Sequence, residues 1–359
     1  MGGVGSGTTI EFVEVFNSAD DGFEWFGGTV GTKWLISAFN NDDAFDYDEG
    51  WRGENQFWFA IQSDDIGSDR GGEHDGGTSP ETGAPFATPK VFNATYIGRG
   101  AGAGKRAITF RDNAGGEYHN SIFVDYDRGI DVEKLSSGTH SFDRLTAGEL
   151  KLENNLFWNV AGNDPAAVFT VAGSGAEEAD QTFIQAYFGD NGNEVANPGL
   201  VGISRTNDGG LDPRAQAGAA IFNPTLTAVP AGDFFSEVTF KGAFGSNNWA
   251  RNWTYLEERG FFGATTVVSV EDDLTEAERN LSIFPNPASS VISISIEEVL
   301  RSAEVEMFNM NGQRVFVRNA NAVNSTVDMT IDVSTLPTGL YFVRVNTQEA
   351  VVTKTVIVE

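Results

Sequence analysis

The chain has 359 residues, enough for two or three domains and a sizeable core. Its 23 Lys and Arg stand against 51 Asp and Glu, a formal charge of −28, so its surface repels nucleic acid and anionic lipid and has cations as natural counterparts. The absence of cysteine excludes disulfides, thiolate metal sites and thiol catalysis, and no apolar run approaches the roughly 18 to 20 residues that span a bilayer.

Forty-two glycines and 28 phenylalanines, with β-branched runs between Gly-rich turns, predict an all-β protein. The first elements repeat. A run from Thr8 to Asn17 leads into Asp20, Asp21, Phe23, Glu24 and Trp25, and a run from Trp34 to Asn40 leads into Asp42, Asp43, Phe45, Asp46 and Tyr47, with matching positions 22 residues apart. A period near 22 residues with short strands and acidic corners predicts a solenoid. The leucine framework of leucine-rich repeats is missing, so a parallel β-helix fits better. Further coils are expected around residues 107–112, 120–125 and 155–159, with Asn17, Asn40, Asn120 and Asn154 beside the strands, where stacked coils line up polar side chains.

The strand pattern breaks between Gln62 and Lys90, which predicts a long loop over residues 62–90. Within it, Glu73, His74 and Asp75 offer metal-ligating or catalytic groups that a Gly-rich acidic loop would also simply solvate. Residues 165–169 read as a packed segment and 181–188 as a short helix or strand. The aromatics Phe234, Phe235, Phe240, Phe244, Trp249 and Trp253 are expected to cap the open end of the solenoid, closing a domain of residues 1–265. An acidic linker, 266–280, follows.

The last segment, 281–359, alternates apolar and polar residues over six or seven short runs, with Asn311-Gly312 suited to a tight hairpin, and predicts a small antiparallel sandwich. Phe284-Pro-Asn-Pro287, Phe308-Asn-Met-Asn-Gly312, the run from Leu336 to Val343 and the terminal Thr353-Lys-Thr-Val-Ile357 closely resemble the C-terminal sorting domain of Bacteroidetes type IX (Por) secretion cargo. That resemblance implies engagement of the type IX machinery through residues 281–359, export across the outer membrane, and release or anchoring at the cell surface. Such cargo needs an inner-membrane leader, and the Gly-rich start has neither a basic stretch nor an apolar core, so a longer precursor is expected. With Gly3-Val-Gly-Ser-Gly-Thr-Thr-Ile-Glu11 at its start, Asp20-Asp-Gly-Phe-Glu-Trp-Phe-Gly-Gly28, Gly71-Gly-Glu-His-Asp-Gly76 and Gly242-Ala-Phe-Gly245, the body of the chain resembles a group of Bacteroidetes surface proteins carrying the same sorting domain, and its coils resemble distantly the right-handed parallel β-helix of pectate-lyase type. The fold expected is therefore all-β, a right-handed parallel β-helix followed by a small immunoglobulin-like antiparallel sandwich.

The densest constellation is Asp20, Asp21, Asp42, Asp43, Asp46 and Asp48. In register, these carboxylates stack ~4.8 Å apart and repel unless hydrated, protonated or bridged, and Ca²⁺, with roughly 6 to 8 oxygen ligands, would bridge them. Corner residues that cap turns and face solvent would look the same in sequence. The spacing after Asp46 begins like an EF-hand and then departs from it. The same acids, Asp43 and Asp21 foremost, are the candidates for acid and base in glycoside hydrolysis. Trp25, Tyr47 and Trp51 lie among them as candidates for stacking on a polysaccharide. Residues 98–105 are Gly-rich but lack the Gly-Lys-Ser/Thr ending of a phosphate-binding loop. Three functions follow from this pattern: a non-enzymatic carbohydrate or matrix binder helped by calcium, a polysaccharide hydrolase or lyase, and a structural surface-layer component.

Overall fold

The computed structural model describes residues 1–64, 67–77, 80–222, 224–263, 281–296, 299, 302–309, 313–323, 325–347 and 351–359. The 266–280 linker and the Asn311-Gly312 turn lie outside the described residues. Contacts divide the chain into two units, Met1–Thr266 and Val267–Glu359.

The first unit is a parallel β-helix with three faces. Its first face is a parallel sheet of Phe23–Phe26, Phe45–Asp48, Gly72–Asp75, Arg106–Arg111, Arg128–Glu133 and Phe169–Ala172. The long strand Thr32–Ala38, paired in parallel along its length with the first strand Ile10–Phe16, opens the other two. Its beginning pairs with Glu54–Gln56 and its end with Phe59–Ile61, and from these the second and third faces continue in parallel. The 22-residue repeat is real where coils are short: Phe23 faces Phe45, Glu24 faces Asp46 and Trp25 faces Tyr47. Later coils lengthen. The run after Gln62 is not one long loop, because Gly72–Asp75 returns to the first face and pairs with both neighbours.

Alternation along each strand sends one set of side chains inward. Phe23, Trp25, Phe45, Tyr47, Trp58, Tyr96, Phe110 and Phe123 fill the interior, the earlier ones as stacked rings and Phe110 and Phe123 meeting Tyr118 and Tyr96 edge-on. The Phe45 ring centroid lies 4.4 Å from that of Trp58 and 5.5 Å from that of Phe23, its plane nearly parallel to both. Aromatic stacking suits a solenoid because each coil offers the next a side chain at strand spacing.

A corner joins the second and third faces at one residue per coil. Phe12, Trp34, Phe57, Asn93, Asn120 and Asn154 hold φ of 54°, 54°, 61°, 55°, 55° and 55° there. Asparagine takes this left-handed conformation readily, whereas a bulky aromatic is strained in it by of order 1–3 kcal/mol. The asparagine half of this ladder is sealed by a later segment: Asn120 Nδ2 donates to Thr227 O (2.8 Å) and its Oδ1 accepts from Thr227 N–H (2.9 Å).

That segment corrects the expected aromatic end cap. The outward side of the third face is apolar, with Ile36, Phe59, Ile97 and Ile122 buried against Leu211, Ile221, Phe244 and Leu256. Residues 200–222 and 224–263 therefore run along the flank of the helix. At Gly242 (φ 87°) the backbone comes so close that a Cβ would stand 2.5 Å from Ile122 Cδ1. The end is closed instead by the helix Glu178–Asp190, whose Ile184 and Phe188 enter the interior beside Phe157 and Phe169.

The second unit, described by itself, pairs Leu281–Phe284, Val291–Ile296 and Val327–Asp332 in one antiparallel sheet. Arg314–Asn321, Ser302–Asn309, Gly339–Asn346 and Val351–Val358 form the other. Ile292, Ile294, Val305, Met307, Val343 and Val356 make the core between them.

Candidate cation site on the acidic corner

The chain turns from the third face into the first just before each strand of the first face, and the same pair of positions recurs there. Asp20 and Asp21 hold it in the first coil, Asp42 and Asp43 in the second, Asp69 and Arg70 in the third, and Lys105 and Arg106 in the fourth. Charge therefore changes from acidic to basic along one edge.

One oxygen from each of Asp20, Asp21 and Asp42 falls within a mutual 4.8 Å, and the same holds for Asp21, Asp43 and Asp46 and for Asp42, Asp43 and Asp69. Asp43 N–H donates to Asp21 Oδ1 (3.0 Å), which sets the stacking of the first two coils. Arg70 closes the other side: its backbone N–H donates to Asp43 Oδ1 (2.5 Å), and its guanidinium reaches Asp43 (3.4 Å), Asp69 (3.2 Å) and Glu73 (2.7 Å). Lys105 pairs with Asp69 at 3.0 Å.

Burial, with crowding behind it, raises three of these carboxyls above their ordinary range. Burial, followed by repulsion from Asp21, Asp75 and Glu73, pushes Asp46 up to about 9. Burial pushes Asp43 up to about 8 against the pull of Arg70. Asp21 rises to about 6, burial again leading and the Asp43 N–H opposing it. Each group of three acids offers three carboxylate oxygens and no nitrogen or sulfur donor, the donor type that hard divalent cations take.

Of the residues anticipated as ligands, Asp20, Asp21, Asp42, Asp43 and Asp46 are brought together. Asp48 is outside these groups; it faces Phe26 across the coils, and its carboxylate accepts from Glu49 N–H (2.6 Å). Asp69 and Arg70 were missed because the coil between Asp43 and Arg70 is 27 residues long, which breaks the 22-residue alignment.

The aromatic expectation is corrected. Trp25, Tyr47 and Trp51 are fully buried. Trp25 stacks on Trp51 at 4.4 Å, Trp51 Nε1–H donates to Val30 O, and the Tyr47 hydroxyl donates to Gly115 O (2.7 Å). Trp25 and Tyr47 have the inward parity of Phe23 and Phe45, so no ligand reaches them. Asp43 is likewise closed, 2% exposed and bonded by Arg70, which sets it out of reach of a polymer.

The histidines are also placed. His74 is on a strand rather than in a solvated loop, buried between Tyr47 (ring centroids 4.0 Å apart) and Tyr118, whose hydroxyl is 2.8 Å from Nε2. Burial lowers it to about 3, so it is neutral. His119 lies between Glu117 (3.0 Å) and Glu153 (3.4 Å), and His140 Nδ1 accepts from Asp143 N–H to cap the helix Ser141–Thr146.

Comparison with known families follows the same division. The model of a pectate-lyase-like β-helix domain matches residues 1–199. The model of a secretion-system C-terminal sorting domain matches residues 282–359. No curated protein matches the chain. Among solved structures, dimeric latent PorU from Porphyromonas gingivalis is 20% identical over 22% of this chain, with a TM-score of 0.19, and the match spans 9% of that chain.

Proposed function

Because the chain belongs to the pectate-lyase-like β-helix family and ends in a sorting domain of the type IX (Por) secretion system, which makes it a secreted or surface-attached protein, we propose that it works outside the cell as a binding module. In this reading the β-helix retains extracellular polysaccharide without cleaving it, and the acidic corner holds a structural Ca²⁺. The observation that carries the calcium is the convergence of Asp21, Asp43 and Asp46 oxygens within 4.8 Å, each carboxyl raised above its ordinary range. Binding rather than hydrolysis is supported by the enclosure of Asp43 under Arg70.

The test is a pair of measurements on the full chain. Thermal unfolding is followed in EDTA and in CaCl₂, where a ligand at 100 times its dissociation constant stabilises by about 2.7 kcal/mol. Asp21→Asn is expected to lose most of that shift. In parallel, the protein is incubated with neutral and acidic polysaccharides, and both retention and new reducing ends are recorded. New reducing ends would replace this reading with a polysaccharide-cleaving enzyme, and an unfolding temperature blind to calcium would remove the cation.

A further inference from the structure

Where, then, would a polysaccharide sit, once Trp25, Tyr47 and Trp51 are in the core? Three exposed rings of the first unit, Phe12, Trp253 and Tyr255, lie at the aromatic half of the corner ladder, whereas Phe26, Trp158 and Phe183 are exposed elsewhere. Phe12, 47% exposed, stacks on Trp34 at 4.5 Å and 10°. Trp253, 37% exposed and more than two hundred residues away in sequence, meets Phe12 edge-on at 5.8 Å and 90° and lies parallel to Trp249. Tyr255, 41% exposed, stands beside them against Phe16. Two stacks thus meet at a right angle on the surface.

The backbone at this corner is strained, and solvent reaches only part of its aromatic half. Later coils place Asn93, Asn120 and Asn154 at the same left-handed corner, the residue that suits φ near 55°, whereas the first three hold Phe12, Trp34 and Phe57 there at φ 54°, 54° and 61°; Phe57 is buried and Phe12 is open to solvent. A strained conformation that favours another residue marks a position kept for its side chain. The corner is also held in place from outside: Glu14 accepts the backbone N–H groups of Tyr255 (2.5 Å) and Leu256 (3.1 Å), fixing the element that follows Trp253 against the first strand.

Next to the rings is a cleft of about 280 Å³ lined by Thr8, Thr9, Thr29, Glu11, Glu54 and the ring of Phe234. The Lys33 ammonium joins the two features, 5.4 Å from the centroid of Trp34 and 4.9 Å from that of Phe234. Flat apolar rings beside hydroxyls and carboxylates match a pyranose, which offers an apolar C–H face and a rim of hydroxyl donors. The two glutamates of the cleft outnumber the single Lys33 ammonium, and on a chain of formal charge −28 they disfavour uronic acids.

Resting on the binding-module reading, we propose that Phe12, Trp34, Trp253 and Tyr255 form a stacking platform for a neutral polysaccharide, with the Glu11 and Glu54 cleft receiving its hydroxyls. The platform is separate from the acidic corner and works without calcium.

The experiment measures retention of cellohexaose, laminarihexaose, mannohexaose and hexagalacturonate by the full chain in EDTA, using the wild type, Phe12→Asn and Trp253→Ala. Asparagine suits the corner's φ, so Phe12→Asn removes the ring and keeps the fold, which thermal unfolding checks. The expected result is retention of at least one neutral hexasaccharide and not of hexagalacturonate, weakened about tenfold in each variant. Retention of a neutral hexasaccharide that both variants leave intact overturns the platform while the binding module stands. Retention of hexagalacturonate alone does the same, and retention of none overturns both. A wild-type dimer lost in Trp253→Ala, with no sugar retained, gives the rings to a second copy of the chain and overturns the platform.

Discussion

Replacing Asp46 by Asn tests the electrostatics of the acidic corner without any ligand. The folded chain holds the Asp46 carboxyl at about 9, against an ordinary 3.8. A raised carboxyl favours the fold fully below the unfolded value. As pH rises the unfolded chain gives up that proton and the folded chain keeps it, so stability falls by ~1.4 kcal/mol for each pH unit between 3.8 and 9. At pH 7 this approaches roughly 4 kcal/mol. Hydration of the partly exposed carboxyl and proton sharing with Asp21 and Asp43 reduce it to about 2 kcal/mol. Asp46→Asn keeps the shape, removes the titration, and should stabilise the calcium-free protein at pH 7 by that amount, about 4–8 °C for a unit of this size. All seven tryptophans lie between Trp25 and Trp253, so tryptophan fluorescence during thermal unfolding reads the β-helix alone. Melts in EDTA at pH 5, 7 and 8.5 should show the wild type weakening as pH rises and Asp46→Asn weakening less. A variant less stable than the wild type at pH 7, or one with the same pH slope, would refute the argument.

Other perturbations read other parts of the fold. His74 behaves with the opposite sign: its lowered value means stability present above pH 6.5 and lost as pH falls toward 3, so His74→Phe should remove part of the acid sensitivity of the wild type between pH 6 and 4 in the same melts. Phe45→Ala opens a hole among Phe23, Trp58 and Tyr96 and should cost about 3–5 kcal/mol, seen as a fall in the fluorescence-detected melting temperature. Asn120→Ala puts alanine at φ 55° and cuts both hydrogen bonds to Thr227; a loss of about 3 kcal/mol and faster proteolysis between residues 224 and 245 should follow, and an unchanged cleavage pattern would show that the ladder does not hold that segment.

Which parts were legible beforehand depended on how locally each was encoded. The pairing of Phe23 with Phe45 and Glu24 with Asp46 could be read because a 22-residue coil brings identical positions into register with no insertion between them. Trp25 and Tyr47 share the inward parity of Phe23 and Phe45, alternating with Glu24 and Asp46, but their neighbourhood of acids makes them read as ligand contacts on the surface. Gly72–Asp75 was hidden because four residues flanked by glycine and charge have no strand signature, and its strand is made by pairing with two preformed neighbours. Arg70 could not be foreseen as the guard of Asp43 once the coil length departed from 22.

The sorting sandwich, the solenoid period and the acidic pairs of the first two coils are properties of the sequence itself, because motif order, alternation and repeat spacing are all local in the chain. The tertiary structure alone decided which acids touch, that the late aromatics lie along the flank, and that Phe12 meets Trp253. These depend on insertion lengths between coils and on the return of residues 200–222 and 224–263 across the third face, contacts whose partners are separated by tens to hundreds of residues and are selected by shape and burial rather than by any pattern along the chain.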